Sequence, residues 1–343
     1  MFNTDAMRAT TTQEVAVKVI VVMVTVFALL TAPTFAANVG FEELKIAHDA
    51  EPPLVAGVWY PTDLAAAEHS LGDFTQTVAP GAPIAGRGLP LVLISHGGGA
   101  WYGGHYDTAL ALAHVGFVVA AISHAGDTFD DQTKVTQLWR RPAQLRRLLD
   151  YMLDEWSQRE RLDGLRVGAF GFSNGGFTVL VAAGGDPDLA KIAPYCQAHP
   201  NHDVCQIMKR AGIEPRFGAA VPATAWVHDQ RIKAVVIAAP AFGFVFGRAG
   251  LSGIGVPIQL WRAADDRHQP SPYYEEAVRA GLPTPPEYHL VSNAGHYDFL
   301  PPCDARLLQT RPEICNSLPG FDREAFHKRF NTEIVRFFRA NLR

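Results

Sequence analysis

Four short apolar runs, at residues 89–94, 117–122, 165–170 and 232–239, carry few or no polar breaks. A strand with one wet face would alternate, so runs of this kind predict strands buried on both faces of a parallel sheet. Two more runs, 256–261 and 288–291, predict further strands. An earlier stretch, 53–60, alternates loosely and stops at Pro61, which suits an antiparallel strand ahead of the main sheet. Between the runs the period becomes helical. Leu145, Leu148, Leu149, Met152, Leu153 and Trp156 recur on one face behind Pro142, a residue favoured where helices open. Phe326, Phe330, Ile334, Phe337 and Phe338 do the same near the C-terminus, with Asp322 as the expected N-cap. Shorter helices are expected at 107–114, 175–183 and 271–280.

Strand followed by helix, repeated, predicts one α/β domain over residues 38–343, with a mostly parallel central sheet and helices on both faces. Residues 62–88, rich in Ala, Gly and Pro, read as surface loop. Residues 184–230 break the alternation and read as a cap-like insertion, with Trp226 and Phe217 as candidate wall residues. The arginines at 140, 141, 146 and 147 read as a solvated helix face.

Composition adds limits. Apolar residues make up 48%, charged residues 19%, and the net charge is -4. There is no basic footprint for nucleic acid or anionic lipid, which leaves a neutral small molecule as the default substrate. Residues 1–37 read as a signal peptide: Arg8 and Lys18 precede an apolar run at 19–30, and small residues follow up to Ala37. That run is too short to span a bilayer comfortably. The mature protein is therefore expected in the periplasm or outside the cell, without stable membrane association. In such a compartment the four cysteines, in two close pairs, predict disulfides Cys196–Cys205 and Cys303–Cys315. His199 and His202 lie inside the first pair in a C-x-x-H-x-x-H-x-x-C run. Steps of three fan these side chains around a helix, so a disulfide is the better reading than a metal site.

The chemistry gathers at Gly171, Ser173 and Gly175, a G-x-S-x-G pattern between a predicted strand and a predicted helix. A serine hydroxyl needs a histidine base, and the histidine needs a carboxylate to fix its tautomer. On an open α/β sheet these partners belong at the ends of later strands. One such end runs into Asp265 and Asp266, and another into His296. The backbone N–H of Asn174 is one expected oxyanion donor, and the Gly97-Gly98-Gly99 turn should supply a second. His96 is expected to shape that turn, and His124 is a weaker candidate base. No cofactor or metal is required.

Several motifs occur together in order: V-W-Y-P at 58–61, S-H-G-G-G at 95–99, W-R-R-P at 139–142, G-F-S-N-G-G at 171–176, and the Asp and His stretches. In these the chain resembles α/β-hydrolases of the dienelactone-hydrolase-like group, which includes platelet-activating-factor acetylhydrolases. The resemblance implies an α/β-hydrolase fold and a serine esterase acting on a small-molecule ester. It implies Asp266 as the acid, counted from Pro257, with Asp265 as the fallback, and Gly98 as the second oxyanion donor. Dienelactone hydrolases in the strict sense use a cysteine nucleophile, and position 173 is serine, which argues against dienelactone as substrate. A peptidase or a polyester hydrolase would use the same triad, and a non-catalytic binding module could use the same scaffold.

Overall fold

The computed structural model describes residues 38–48, 51–214, 221 and 223–343. The expected signal peptide and Phe217 lie outside the described residues. Among the described residues, ten strands form one sheet: β1 (Asn38–His48), β2 (Glu51–Thr62), β3 (Ala67–Leu71), β4 (Phe74–Pro80), β5 (Leu89–Ser95), β6 (Val118–Ser123), β7 (Leu162–Phe172), β8 (Ile232–Ala238), β9 (Ile258–Ala263) and β10 (Glu287–Val291). Their spatial order is β10-β9-β8-β7-β5-β6-β2-β1-β4-β3. The six strands from β6 to β10 through β5 pair in parallel, and β2 joins β6 antiparallel. The helices are α1 (Tyr106–Ala113), α2 (Arg140–Asp150), α3 (Asn174–Ala182), α4 (Ile192–Ala198), α5 (Asp203–Arg210), α6 (Arg248–Leu251), α7 (Glu275–Gly281), α8 (Ala305–Thr310), α9 (Pro312–Cys315) and α10 (Arg323–Asn341).

The run in β5 behaves as expected of a strand with two dry faces, and that in β7 does so only from Val167 onward, since Leu165 is exposed. In β5, Leu91 and Leu93 join one core with Leu145 and Leu148 of α2, Phe177 and Leu180 of α3 and Val278 of α7. Val92 and Ile94 point the other way, into a second core with Leu112 of α1 and Phe330, Ile334 and Phe338 of α10. The stripe read at the C-terminus is thus buried, and the Asp322 carboxylate caps its helix by accepting from Ala325 N–H at 2.9 Å. Both expected disulfides are present. No helix among the described residues is long and apolar enough to cross a membrane.

The expected loop at 62–88 is not all loop. It holds a hairpin, β3 and β4, turning through Gly72 at φ 58°, the conformation a two-residue hairpin turn needs. The hairpin escapes hydrophobic patterning because β3 lies at the sheet edge and all but its last residue stay at least partly exposed. It is pinned from inside: the Trp59 indole N–H of β2 donates to Gln76 Oε1 of β4 at 2.7 Å, both buried. Removing one partner of such a bond leaves the other desolvated and unpaired. Gln76→Met keeps the volume and removes the acceptor, so urea denaturation should show a loss of about 1–3 kcal/mol. An unchanged midpoint would mean that the hairpin is held by other contacts.

Candidate active site

The chain leaves β5 for β6 on one side and returns to β7 on the other, so the direction of winding reverses at β5. In open α/β sheets a crevice forms beyond the strand ends at that point. Residues 97–99 follow β5 there, Ser173 follows β7, Asp266 follows β9 and His296 follows β10.

Ser173 sits at φ 55°, ψ −119°, a conformation that L-residues rarely adopt. The turn closes this tightly because its flanks have no side chains. A Cβ on Gly171 would lie 2.1 Å from the Gly175 carbonyl oxygen, and one on Gly175 would lie 1.8 Å from that of Ser95. The turn is tied down by backbone bonds, with Ser173 N–H donating to Ala238 O at 3.0 Å and Ala241 N–H donating to Ser173 O at 2.9 Å.

The structure brings Ser173, His296 and Asp266 together. His296 Nε2 lies 3.1 Å from Ser173 Oγ, and His296 Nδ1 lies 2.7 Å from Asp266 Oδ2. Burial would raise the Asp266 carboxyl, but the His296 charge, its hydrogen bond and the Gln269 N–H outweigh burial and hold it below its ordinary value. Asp265 instead points to solvent, and its N–H donates to Ala294 O. His124 is fully enclosed, with Nε2 on Ser95 Oγ at 2.8 Å and Nδ1 on Gln144 Oε1 at 3.0 Å. Burial and the neighbouring Arg141 cation push its pKa well down. His96 accepts from His124 N–H at 3.0 Å and bonds Gly97 O through Nδ1 at 2.5 Å, so it braces the glycine turn.

Gly98 faces Asn174 so closely that a Cβ would meet the Asn174 side-chain nitrogen, Nδ2, at 2.7 Å. Asn174 opens α3, so its backbone N–H has no intrahelical acceptor. The Gly99 N–H is already committed, donating to Asp127 Oδ1 at 2.8 Å.

Arg141 corrects the sequence reading. It is 2% exposed, not solvated. Its Nη1 donates to Asp127 Oδ2 at 2.6 Å, its Nε to Thr178 Oγ1 of α3 at 3.0 Å, and its Nη2 to His96 O. One guanidinium therefore fastens the glycine turn, the loop after β6 and α3 to the start of α2. The signal was present: 141 is four residues before Leu145 and shares its buried face. Arg140 and Arg147 do pair at the surface, with Glu51 and Glu155.

A second buried ion pair holds the histidine turn. Asp298 accepts from Gly295 N–H at 2.7 Å, from Ser317 Oγ at 2.5 Å and from Arg323 Nε at 3.1 Å. No spacing in the sequence marks it.

A cavity of about 570 Å³ opens over Ser173. Its wall is mostly apolar, with Trp101, Phe129, Ile207, Met208, Leu300 and Ile314 among the lining side chains. The insertion contributes through α5, and Asp203 of α5 bonds His268 Nδ1 at 2.7 Å. The Cys303–Cys315 segment supplies another side of the wall that the sequence did not suggest. Trp226 does not line the cavity. It packs in the core against Phe177, ring centroids 5.9 Å apart. The disulfide occupies both cysteines around His199 and His202, whose rings stack at 4.7 Å. Among the described residues, Glu287, His289 and Glu333 have metal-ligand spacing, but Arg336 already bridges both carboxylates.

No protein-family model matches the chain. It is similar to Cutinase 2 of Thermobifida cellulosilytica, 33% identical over 100 residues, a match covering 29% of this chain and 38% of the cutinase. The solved ferulic acid esterase of Streptomyces cinnamoneus superposes with a TM-score of 0.60, at 18% identity, over 91% of each chain. The fold is that of an α/β-hydrolase.

Glu275, at the start of α7, is buried, and neither carboxyl oxygen has a hydrogen-bond partner among the described residues. Burial, then the Asp266 charge, raise its pKa well above 4.5, so folding disfavours its ionised form. Below pH 4.5 both folded and unfolded forms are protonated and nothing is lost. Above it, ionisation favours the unfolded chain until the folded pKa is passed. Glu275→Gln should therefore raise Tm at pH 8 and change it little at pH 4, as read by calorimetry. Equal Tm differences at both pH values would contradict the raised pKa.

Proposed function

We propose that the protein is an exported serine hydrolase that cleaves carboxylic esters through an acyl-enzyme on Ser173. The observation that carries this is the chain of contacts from Ser173 Oγ to His296 Nε2 at 3.1 Å and from His296 Nδ1 to Asp266 Oδ2 at 2.7 Å. Ser173 Oγ attacks the ester carbonyl carbon while His296 Nε2 takes its proton. Asp266 holds the opposite ring proton and so selects the tautomer with Nε2 free to accept. The oxyanion is received by the N–H groups of Gly98 and Asn174. His296 then protonates the departing alcohol, and water releases the acid by the same steps in reverse. Asp266 rather than Asp265 is the acid, because Asp266 alone of the two reaches the imidazole.

The substrate carries an apolar body, in keeping with the lining of the cavity. The names of the two similar proteins, a cutinase and a ferulic acid esterase, point the same way. The sequence motifs favour the dienelactone-hydrolase-like branch, with serine chemistry in place of cysteine. The segment at 1–37 and the two disulfides support export. A polyester is a second reading, favoured by Phe129 and Ile207, which line the cavity and are respectively 62% and 50% exposed.

A fluorophosphonate should label Ser173 in the folded protein, and Ser173→Ala should lower p-nitrophenyl ester turnover by about 10⁴-fold or more while leaving the thermal transition in place. Retained turnover in Ser173→Ala would refute the assignment. Release of acid from an insoluble polyester film separates the second reading from the first.

A further inference from the structure

Among the polar side chains of the acid loop that the triad does not use, Gln269 is bonded to the nucleophile. Gln269 follows Asp266 by three residues and is 5% exposed. Its backbone N–H donates to Asp266 Oδ1 at 2.8 Å, which leaves Oδ2 for His296. That bond fixes where the side chain begins, and the side chain turns towards the nucleophile. Gln269 Nε2 donates to Ser173 Oγ at 3.3 Å. The amide oxygen, Oε1, is buried at the cavity wall and accepts from no donor among the described residues. A buried acceptor without a donor is costly, and each such group calls for an explanation, a catalytic role or a bound water among them.

We propose, on the reading that Ser173 carries an acyl group, that Gln269 is a catalytic residue of deacylation which seats the attacking water. A water molecule poised for attack has two hydrogens to place. One goes to His296 Nε2, the base. The other needs an acceptor on the same side of the acyl carbon, and Gln269 Oε1 stands beside Ser173 with that capacity unused. The water oxygen bonds to the acyl carbon as His296 Nε2 takes the first proton, and the carbonyl electron pair moves to the oxyanion. When the intermediate collapses, the bond from carbon to Ser173 Oγ breaks, its electron pair stays on Oγ, and the proton returns from Nε2. Gln269 Nε2 donates to Oγ as that charge appears. The free acid leaves with the second hydrogen of the water on its new oxygen until it ionises in solvent.

This role separates water from other nucleophiles. Methanol has a single O–H hydrogen, which His296 takes, so methanolysis of the acyl-enzyme makes no use of Oε1. The contribution of Nε2 to the collapse is common to both nucleophiles and cancels in their ratio. The test is the ratio of methyl butyrate to butyric acid formed from p-nitrophenyl butyrate at a fixed methanol concentration, which does not depend on which step limits turnover. Gln269→Met removes both amide groups at similar volume and should raise the ratio about tenfold, the worth of one hydrogen bond. Gln269→Glu keeps an acceptor oxygen and should hold the ratio within about twofold of the unmodified protein. If Gln269→Met does not fold, Gln269→Leu serves the same comparison, with the thermal transition as the check on folding.

A ratio in Gln269→Met or Gln269→Leu equal to that of the unmodified protein would overturn the proposal. So would an equal rise in Gln269→Glu, because the acceptor would then not be what matters. Failure of the unmodified protein to label at Ser173 with a fluorophosphonate would instead remove the esterase reading on which the inference rests.

Discussion

The turn at Ser173 is the constraint on which the site depends. Holding a serine at φ 55° costs about 1–3 kcal/mol, and that strain persists only where the surroundings over-determine it. Here Gly171 at the end of β7 abuts the Gly175 carbonyl of α3, and Gly175 in turn abuts the Ser95 carbonyl of β5, so the nucleophile turn and the strand of the glycine turn are in direct contact. A side chain at 171 would force β7 and α3 apart, and one at 175 would force α3 away from β5. One packing condition thus sets the distance between the serine and the neighbouring N–H donors, and it lifts the serine clear of the sheet.

Around that turn, charge is buried in pairs that each join a helix start to a loop. Arg141 and Asp127 fasten the glycine turn to α2, and Arg323 and Asp298 fasten the histidine turn to α10. Burial pulls both guanidinium groups below their ordinary pKa values, and the paired carboxylates offset part of that effect. Such pairs are weak grounds for stability, since well-packed apolar side chains often do as well. Their directional bonds suit positioning, because each Arg reaches two or more loop acceptors at once. The hydrophobic cores hold the sheet, while these pairs hold the loops that stand on it.

Much of this was legible because apolar runs and glycines are local signals. The unbroken run in β5 and the helical stripe of α10 each report burial directly, and G-x-S-x-G between strand and helix reports the sharp turn. The hairpin at β3 and β4 was not legible, since an edge strand exposed on most of its length has no reason to alternate. Arg141 departs from the solvated face expected of an arginine cluster, because its helical phase places it with Leu145. Trp226, expected in the cavity wall as part of the insertion, is taken into the core by Phe177. Gln269 carries no motif at all. Its significance comes from a loop closing to within 3.3 Å of Ser173 Oγ, which only three-dimensional contact reveals.

The measurement closest to the central claim is rapid acid quenching of the protein with p-nitrophenyl butyrate during the p-nitrophenol burst, followed by peptide mass spectrometry. The account predicts one butyryl group on the peptide that contains Ser173, and none in Ser173→Ala. A burst with the butyryl group on another residue, or on none, would contradict it.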